Sequence, residues 1–386
     1  MDYPQAIVKT RLRKLTTPPR SAFSAIFRRA DDKEHLLARP VNPERPVSPS
    51  QAEGVAMEVG AMTSGAGRLK SMAPIVGDSA VWSVVLAGGE GERLRPLMER
   101  WWGFHRPKQY CTFVGRRSML QHTLGRAESL SGAGRMLVVV ANHHEPHNRD
   151  QFHGSYSGVM MAQPWNQGTA AGIFLPLTYI GAKDPGSTVV ILPSDHFVHP
   201  EEAFIVAVRR ATLAAQQLPD KLVLLGARPD IPETEYGWIQ TGDPVALVEG
   251  CYVRAVTSFK EKPDEHTARR LLAGGALWNT FVIAAKWQTL WQLGWQCFPA
   301  LMERFEYLAL HIGTPSERSA LESIYTVLPD CDFSSGLLQR VPSASVVMEL
   351  EGVTWCDWGN EERIVETLRK IGKTPLFPPL KPAKAI

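Results

Sequence analysis

Short apolar runs alternate with longer amphipathic stretches along most of the chain. The apolar runs are rich in β-branched residues and cover residues 81–86, 136–140, 188–192 and 222–226. The stretches between them, each long enough for a helix, cover residues 118–130, 169–180 and 200–217. This alternation predicts a mostly parallel sheet with helices on both faces. Pro176 interrupts the second of these helices, and it predicts a bend there because proline removes a helical hydrogen bond.

The pattern changes after residue 226. Residues 236–241, 252–259 and 278–284 predict strands of a mixed or antiparallel region, and helices are predicted over 286–297, 300–312, 315–327 and 361–371. The chain shows no internal repeat. The predicted fold class is therefore α/β, with a Rossmann-like, mostly parallel sheet flanked by helices and a mixed-sheet lobe over the substrate.

Residues 1–78 differ from the rest of the chain. They are rich in Pro, Ala, Ser, Arg and Gly and sustain neither a helical nor a strand period. This composition predicts a disordered basic tail, which leaves residues 79–386 as one folded domain. The first thirty residues are also basic and poor in acids, as organelle transit peptides are. A plain tail, or translation that begins at Met62 or Met72, fits the sequence better.

Charge and composition exclude several classes of function. Residues 1–78 hold 12 Lys and Arg against 8 Asp and Glu, so the rest of the chain nets to −1 although the whole chain carries +3. Without a bulk basic field, nucleic acid is not the expected main partner. The apolar runs are too short to cross a membrane. The five cysteines are scattered, which favours free thiols and a cytoplasmic protein.

A glycine-rich turn directly follows the first predicted strand, at residues 87–91. Glycines let backbone N–H groups approach an anion, and such turns at strand ends commonly hold phosphates. An isolated glycine cluster is as often an ordinary tight turn, and the spacing is not that of a Walker A loop. Here, however, Arg93, Arg106 and Lys108 follow closely and bring several cations to one place. A nucleotide phosphate site is therefore predicted.

The same segment resembles the signature of the sugar-1-phosphate nucleotidyltransferases, especially the mannose-1-phosphate guanylyltransferases. The matching motif is Leu86-Ala87-Gly88-Gly89-x-Gly91-x-Arg93-Leu94-x-Pro96-Leu97, followed by Pro107-Lys108-Gln109. The resemblance implies that the loop wraps the nucleoside triphosphate and that Arg93 and Lys108 neutralise its phosphates. Residues 101–105 lengthen the usual spacing, so the loop over residues 99–106 can reshape the mouth of the site or act as a lid.

Gln163-Pro164-Trp165-Asn166-Gln167-Gly168-Thr169 resembles the base-reading segment of that family. The resemblance implies base contacts from Gln163, Gly168 and Thr169. The family more often has Glu-Pro at the start and Arg-Asn before the threonine, so guanine specificity stays open. Equally, Gly168 and Thr169 can simply cap the helix that follows.

Two aspartates are the predicted metal ligands. Asp195 lies just past a buried strand, and Asp357 lies in a tight turn far downstream. Magnesium prefers one or two carboxylates together with substrate phosphate oxygens. An aspartate after a strand is more often a turn former or a helix cap, but the resemblance implies that both residues bind Mg²⁺. For the neighbouring His196, a packing role is the simpler interpretation.

The predicted sugar site rests on the resemblance as well. Glu261-Lys262-Pro263 matches the motif whose lysine holds the phosphate of the sugar phosphate and whose glutamate contacts sugar hydroxyls. Without that resemblance the motif would indicate a solvated turn. Gly237 and Asn279 match two further sugar-contacting segments. Glu235 stands where glycine is usual, and Thr280-Phe281 replaces Ser-Gly, so the identity of the sugar stays open.

The resemblance spans residues 82–371 and implies one reaction. A nucleoside monophosphate passes from a nucleoside triphosphate, with GTP favoured, to a sugar-1-phosphate, with mannose-1-phosphate favoured. The products are GDP-mannose and pyrophosphate. The implied partners are these two substrates, without nucleic acid or membrane; a homo-oligomer is compatible with the sequence. Too few residues follow Asp357 for an appended isomerase or β-helix domain, which predicts a single activity.

Two other functions compete with this prediction. A protein of the same fold can bind sugar nucleotides and regulate a partner without catalysis, but such proteins tend to lose the metal and phosphate ligands that are present here. A hydrolase is disfavoured because the chain has no G-x-S-x-G motif. The pair His143-His144 follows a predicted strand but has no matching nucleophile.

Overall fold

The chain is organised around one large sheet, and the computed structural model describes residues 80–148, 151–152 and 158–378. The tail predicted over residues 1–78 lies outside the described residues. The strands, in chain order, are β1 (Val81–Ala87), β2 (Met136–Ala141), β3 (Val159–Gln163), β4 (Thr188–Pro193), β5 (Phe197–His199), β6 (Leu222–Ala227), β7 (Trp238–Val248), β8 (Cys251–Lys260), β9 (Leu277–Lys286), β10 (Ser345–Glu349) and β11 (Thr354–Cys356).

Within the described part of the chain, nine strands form a single sheet in the order β3-β2-β1-β4-β9-β6-β10-β8-β7. Strands β3, β2, β1 and β4 run parallel to one another, as do β6 and β10. Strand β9 is antiparallel to β4 and β6, and β7 and β8 form an antiparallel hairpin. The predicted α/β fold is confirmed, and the mixed lobe continues the same sheet.

Helices cover both faces of this sheet. They are α1 (Arg95–Trp102), α2 (Met119–Ser131), α3 (Glu145–Asn148), α4 (Gly168–Lys183), α5 (Glu201–Gln217), α6 (Glu265–Ala273), α7 (Trp287–Cys297), α8 (Pro299–Ala309), α9 (Glu317–Tyr325) and α10 (Glu361–Lys370). On one face α4 packs against α7 and α8, with Phe174 and Leu301 in the core. On the other face α2 packs against α5, and Leu120 of α2 and Val208 of α5 are buried in the core. Burial on both faces explains why the parallel strands are continuous apolar runs.

Local chemistry sets several helix boundaries. Ser118 and Gln121 form a reciprocal capping box at the start of α2, and the side chain of Asn360 caps α10. These caps satisfy backbone N–H groups that have no partner in the first helical turn. Helix α4 continues through Pro176 to Lys183, so the proline does not end the helix.

A small two-stranded ribbon lies beside the main sheet. Strands β5 and β11 pair antiparallel, with Cys356 opposite Phe197. Asp195 lies two residues before β5, and Asp357 directly follows β11. Because the strands are antiparallel, both aspartates lie at the same end of the ribbon, although 162 positions separate them in sequence. The ribbon therefore assembles the two predicted metal ligands.

Two further expectations concern the protein's environment. Each of the five cysteines lies in the described residues and is a free thiol, as predicted. In the described ranges, none of the helices combines the length and apolar character that crossing a bilayer requires. The cytoplasmic location stays a prediction.

Candidate active site

The glycine-rich turn lies at the carboxyl end of β1 and is held by Gln109. The side-chain amide of Gln109 donates to the carbonyl oxygens of Ala87 (3.0 Å) and Gly89 (2.8 Å). The carbonyl of Leu86 accepts a bond from Ser194, which joins the turn to the end of β4. Gly89 is exposed, so a bound anion can reach the backbone of the turn.

Gly91 allows the turn to lie against Lys108. Its φ is +67°, and a Cβ at this position would lie 2.8 Å from the backbone nitrogen of Lys108. We expect Gly91→Ala to lower the free energy of unfolding by more than the roughly 1–3 kcal/mol that a left-handed φ alone costs, because the Cβ also meets Lys108, and to raise the KM for the nucleotide, as urea unfolding and steady-state kinetics would measure. Gly115→Ala is the matched control, because its φ is +73° but its Cβ meets no described atom within 4 Å. Equal losses in the two variants would contradict the close contact.

The predicted base-reading residues divide into two groups. Gln163 is buried beside the glycine-rich turn, since a Cβ on Gly88 would lie 2.9 Å from its amide nitrogen. The hydroxyl of Tyr325 donates to the Gln163 side-chain oxygen at 3.1 Å and fixes the orientation of this amide. Gln163 therefore borders the glycine-rich turn, as its predicted role in contacting the base requires.

Gly168 and Thr169 instead anchor the start of α4. A Cβ on Gly168, whose φ is +78°, would lie 2.4 Å from the carbonyl oxygen of Cys331. The hydroxyl of Thr169 donates to Asp332 (3.0 Å) and accepts from the backbone N–H of Phe333 (2.7 Å). This geometry favours the helix-anchoring alternative for both residues.

Lys108 joins the two predicted metal ligands. Its side chain is buried, and its ammonium lies 2.8 Å from the carboxylate of Asp195 and donates to the backbone carbonyl of Asp357. The pairing of β5 with β11 brings these aspartates to one place, as a shared metal site would require. A predicted phosphate ligand and both predicted metal ligands therefore share one cluster.

The electrostatics of this cluster keep Asp195 ionised. Desolvation raises the pKa of its carboxyl group, but the adjacent Lys108 ammonium outweighs that effect and holds the pKa at about 2. Burial lowers the pKa of His196, so this ring is neutral near neutral pH. Asp195 thus presents a full negative charge, and 37% of its side chain is exposed.

Asp357 is the most heavily bonded residue of the cluster. Its carboxylate lies 2.7 Å from the guanidinium of Arg93 and 3.2 Å from that of Arg363, and it accepts from the hydroxyl of Tyr236 at 2.5 Å. Gly359 makes room for this arrangement, since a Cβ there would lie 2.6 Å from a guanidinium nitrogen of Arg93. Arg93 itself is half exposed, so it can turn towards a phosphate.

The predicted sugar-binding residues converge on the segment that carries Tyr236. The backbone carbonyl of Tyr236 accepts from the N–H of Lys262 (3.2 Å), and the carbonyl of Gly237 accepts from the N–H of Asn279 (2.8 Å). A Cβ on Gly237 would lie 2.7 Å from the carboxylate of Glu261, so glycine is required there. Because Tyr236 also bonds Asp357, this group adjoins the aspartate cluster. The four predicted sugar-site residues thus lie together.

Glu261 gives the sugar side of the site a pH dependence. Burial, with Asp332 nearby, raises the pKa of Glu261 from 4.5 to about 7. The stabilisation that protonated Glu261 contributes is therefore complete below pH 4.5, and it is lost as the pH rises through about 7. We expect the free energy of unfolding of the wild type, relative to Glu261→Gln, to fall across this window in urea titrations. Glu303→Gln, on an exposed position of α8, should show no such trend; a parallel trend in both variants would contradict the assignment.

Trp101 and Trp102, the first residues that lengthen the segment after the glycine-rich turn, are packed, whereas Gly103 and Phe104 are exposed. Trp101 and Trp102 are the last residues of α1, and Gly103, with a φ of +79°, caps the helix. The ring of Trp101 lies 5.6 Å from that of Phe377, and Arg106 stacks over Trp102 at 4.8 Å. The segment predicted as a longer loop over residues 99–106 therefore begins as the last turn of α1, docked on the protein body.

Tyr236 and Arg363 contact a predicted metal ligand, which the sequence motifs do not indicate; the motif with Gly237 places Tyr236 only in a sugar-contacting segment. Both contact the carboxylate of Asp357, and Arg363 also pairs with the buried Glu233. Arg363 lies in the first turns of α10, where nothing local distinguishes it from a solvated arginine. The pairing of β11 with β5, followed by the short segment 357–360, brings it to the site.

The fold and this cluster together define a class of protein. A parallel sheet with a glycine-rich turn, flanking cations and a pair of carboxylates is a site for nucleotide phosphate chemistry. The family model described as nucleotidyl transferase matches residues 82–374. The chain belongs to the nucleotidyl transferase family.

The curated relatives include proteins of alginate and xanthan biosynthesis and mannose-1-phosphate guanylyltransferases. The chain is 33% identical over 200 residues to the alginate biosynthesis protein AlgA of Pseudomonas aeruginosa, a match that covers 51% of this chain and 40% of the relative. It is 36% identical over 206 residues to the xanthan biosynthesis protein XanB of Xanthomonas campestris (52% and 41%). It is 31% identical over 207 residues to mannose-1-phosphate guanylyltransferase of Escherichia coli (52% and 42%). The match spans about two fifths of each relative's length.

Solved structures share the fold. A structure described as a mannose-1-phosphate geranyltransferase from Thermus thermophilus matches with a TM-score of 0.63 and 26% identity, over 74% of this chain and 78% of that one. A structure of mannose-6-phosphate isomerase from Helicobacter pylori matches with a TM-score of 0.56 and 19% identity, over 72% and 99%. The second match bears on the fold alone.

Proposed function

We propose that the protein transfers a nucleoside monophosphate from a nucleoside triphosphate to a sugar-1-phosphate, releasing pyrophosphate. GTP and mannose-1-phosphate are the proposed substrates, and GDP-mannose is the proposed product. The choice of this pair rests on the names of the relatives, and Gln163 at the proposed base site leaves room for another base. One observation carries the proposal: Arg93, Lys108, Asp195 and Asp357 meet in one cluster beside the glycine-rich turn.

The reaction joins two polyanions, so the obstacle is charge repulsion rather than the lack of a nucleophile. An oxygen of the sugar phosphate attacks the α-phosphorus in line with the departing pyrophosphate, and the protein positions both groups and neutralises their charge. Arg93, which is half exposed, can move from Asp357 to the phosphates. Lys262 is exposed next to Glu261 and would hold the phosphate of the incoming sugar. No covalent step on a side chain is required.

The donor set of the cluster fits magnesium. Asp195 offers a partly exposed, ionised carboxylate, and the Lys108 ammonium that it faces also donates to the backbone carbonyl of Asp357. Two carboxylates with substrate phosphate oxygens are the ligands that Mg²⁺ commonly takes in nucleotide enzymes. Bound there, Mg²⁺ would supply charge screening at the α-phosphate. Asp195 and Asp357 are the proposed holders, and Lys108 and Arg93 would then turn to phosphate.

A regulatory sugar-nucleotide binder is the second candidate, and one observation favours it. The carboxylate of Asp357 already bonds two guanidinium groups and a hydroxyl, so its charge is compensated without a metal. In that function the cluster would bind a nucleotide sugar through Arg93 and Lys108 and would not turn it over. The relatives' names favour catalysis.

A pyrophosphate-release assay separates these functions. The full chain is assayed with Mg²⁺ across a matrix of nucleoside triphosphates and sugar-1-phosphates. Release with GTP and mannose-1-phosphate alone supports the specific proposal. Release with another pair retains the reaction and rejects the substrates. Absence of release with every pair, together with calorimetric binding of a nucleotide sugar, rejects catalysis and supports the binder.

A further inference from the structure

A second group of ligand-type side chains lies beside the glycine-rich turn, away from the aspartate pair. Strands β1 and β2 are parallel neighbours, with Ala87 opposite Val140, so the segments that follow them leave the sheet side by side. Glu90 lies in the first of these segments, and His143 and His144 lie in the second. The topology therefore places one carboxylate against two adjacent imidazoles.

The three side chains converge through atoms that can bind a metal. Nε2 of His143 lies 3.0 Å from the Glu90 carboxylate, and Nε2 of His144 lies 3.3 Å from it. One ligand atom from each residue lies within 4.8 Å of the others. Four-coordinate zinc with bonds of about 2.0–2.1 Å holds neighbouring ligand atoms about 3.4 Å apart. Both glutamate–histidine separations are already close to that spacing.

We propose that Glu90, His143 and His144 bind a first-row divalent transition metal, of which Zn²⁺ is the best match. Two imidazoles with one carboxylate suit Zn²⁺ and not Mg²⁺, which prefers oxygen ligands. Three protein ligands leave a fourth position for water or another ligand. The site goes beyond the proposed transferase reaction, because none of its three side chains is assigned a role in that reaction.

The surroundings of His144 match those of a metal-binding histidine. Its side chain is only 2% exposed, and its Nδ1 lies 3.2 Å from the hydroxyl of Tyr110. Such a bond on the second ring nitrogen orients a ligating imidazole and fixes its tautomer. Tyr110 in turn lies 3.4 Å from the carbonyl oxygen of Ala87, at the start of the glycine-rich turn. His143 is 57% exposed, so the site is closed towards the protein and open towards solvent.

An ion at this site would fix the shape of the glycine-rich turn. Glu90 belongs to the turn, whereas both histidines belong to the segment after β2, so a shared ion cross-links the two. A third histidine already contacts the backbone of the turn at this position, because Nε2 of His105 lies 2.9 Å from the carbonyl oxygen of Glu90. The alternative is a metal-free network in which both imidazoles donate hydrogen bonds to Glu90. That network and the metal site make different predictions for binding.

The test is metal binding by the full, untagged chain in excess Mg²⁺. We expect one equivalent of Co²⁺ to bind with the visible absorption of a four-coordinate ion, and Zn²⁺ to displace it. His143→Ala and Glu90→Gln should each weaken Zn²⁺ binding by roughly a hundredfold in calorimetry. Zn²⁺ should also raise the melting temperature of the wild type but not of Glu90→Gln, because a ligand stabilises the state that binds it.

His311→Ala is the matched control, since His311 is a partly exposed histidine after α8 that bonds Ser316. It should bind Zn²⁺ as the wild type does. Failure of the wild type to bind, or unchanged binding by His143→Ala and Glu90→Gln, would overturn the proposal in favour of the hydrogen-bonded network. Loss of binding in Asp195→Asn alone would place the ion at the aspartate pair and overturn it as well. These readouts are independent of pyrophosphate release.

Discussion

Replacing Asp357 with asparagine is expected to reduce pyrophosphate release by about a hundred- to a thousandfold. Asparagine keeps the shape of the side chain and one acceptor oxygen for Tyr236, but it removes the negative charge that faces Arg93 and Arg363. It also removes one of the two carboxylates proposed to hold Mg²⁺. Turnover with both substrates saturating, measured at several Mg²⁺ concentrations, gives the effect on the chemical step.

Asp220→Asn provides the control for this change, because Asp220 is exposed and pairs with Lys221 far from the cluster. It should turn over at the normal rate. Leaving two guanidinium groups without Asp357 also costs stability, so circular dichroism at the assay temperature must show a folded variant. Near-normal turnover by folded Asp357→Asn would remove this residue from the mechanism, and full rescue by more Mg²⁺ would reduce its role to metal affinity.

The regular part of the fold follows from local sequence. Strands β1, β2, β4 and β6 are predicted within one residue, because a parallel strand buried on both faces is a continuous apolar run. The long helices α2, α4 and α5 are predicted because each is an uninterrupted stretch between two strands that is long enough for several helical turns. These elements place the glycine-rich turn and Asp195 at strand ends, where the motifs predict them.

The elements that the sequence does not predict are short or depend on distant partners. Strands β5 and β11 have three residues each, too few for a period, and exist because they pair with each other. Strand β3 and strand β10 have five residues each, and no clear signal separates them from neighbouring loops. Yet the β5–β11 ribbon is what brings Asp357 to Asp195. The convergence of the site is therefore a tertiary property.

The same limit applies to individual site residues. Lys108 and Asp195 belong to local motifs, so the sequence assigns them roles. Tyr236 and Arg363 acquire theirs only through contact with Asp357, which lies 121 positions from Tyr236. The pair His143-His144 is visible in the sequence, but its convergence on Glu90 requires the register of β1 with β2.

Lys262→Ala is expected to lower kcat/KM for the sugar-1-phosphate by at least about a hundredfold. Lys262 is exposed, and its backbone is fixed by the bond from its N–H to Tyr236. Removing its side chain therefore takes away a cation from the sugar site and leaves the fold intact. Steady-state kinetics with the nucleotide saturating, and with the sugar phosphate varied, measures the loss. The KM for the nucleotide should change little.

Lys260→Ala is the matched control, because Lys260 is an exposed lysine two residues earlier at the end of β8. It should leave kcat/KM near the wild-type value, and equal losses in both variants would indicate a general charge effect instead of an anchor.

The backbone of Lys262 supplies a second test. Its φ of +41° costs a non-glycine residue about 1 kcal/mol or more. The free energy of unfolding of Lys262→Gly should therefore be at least that of the wild type, because glycine adopts this φ without strain. Its activity should fall as in Lys262→Ala, because the cation is missing in both variants.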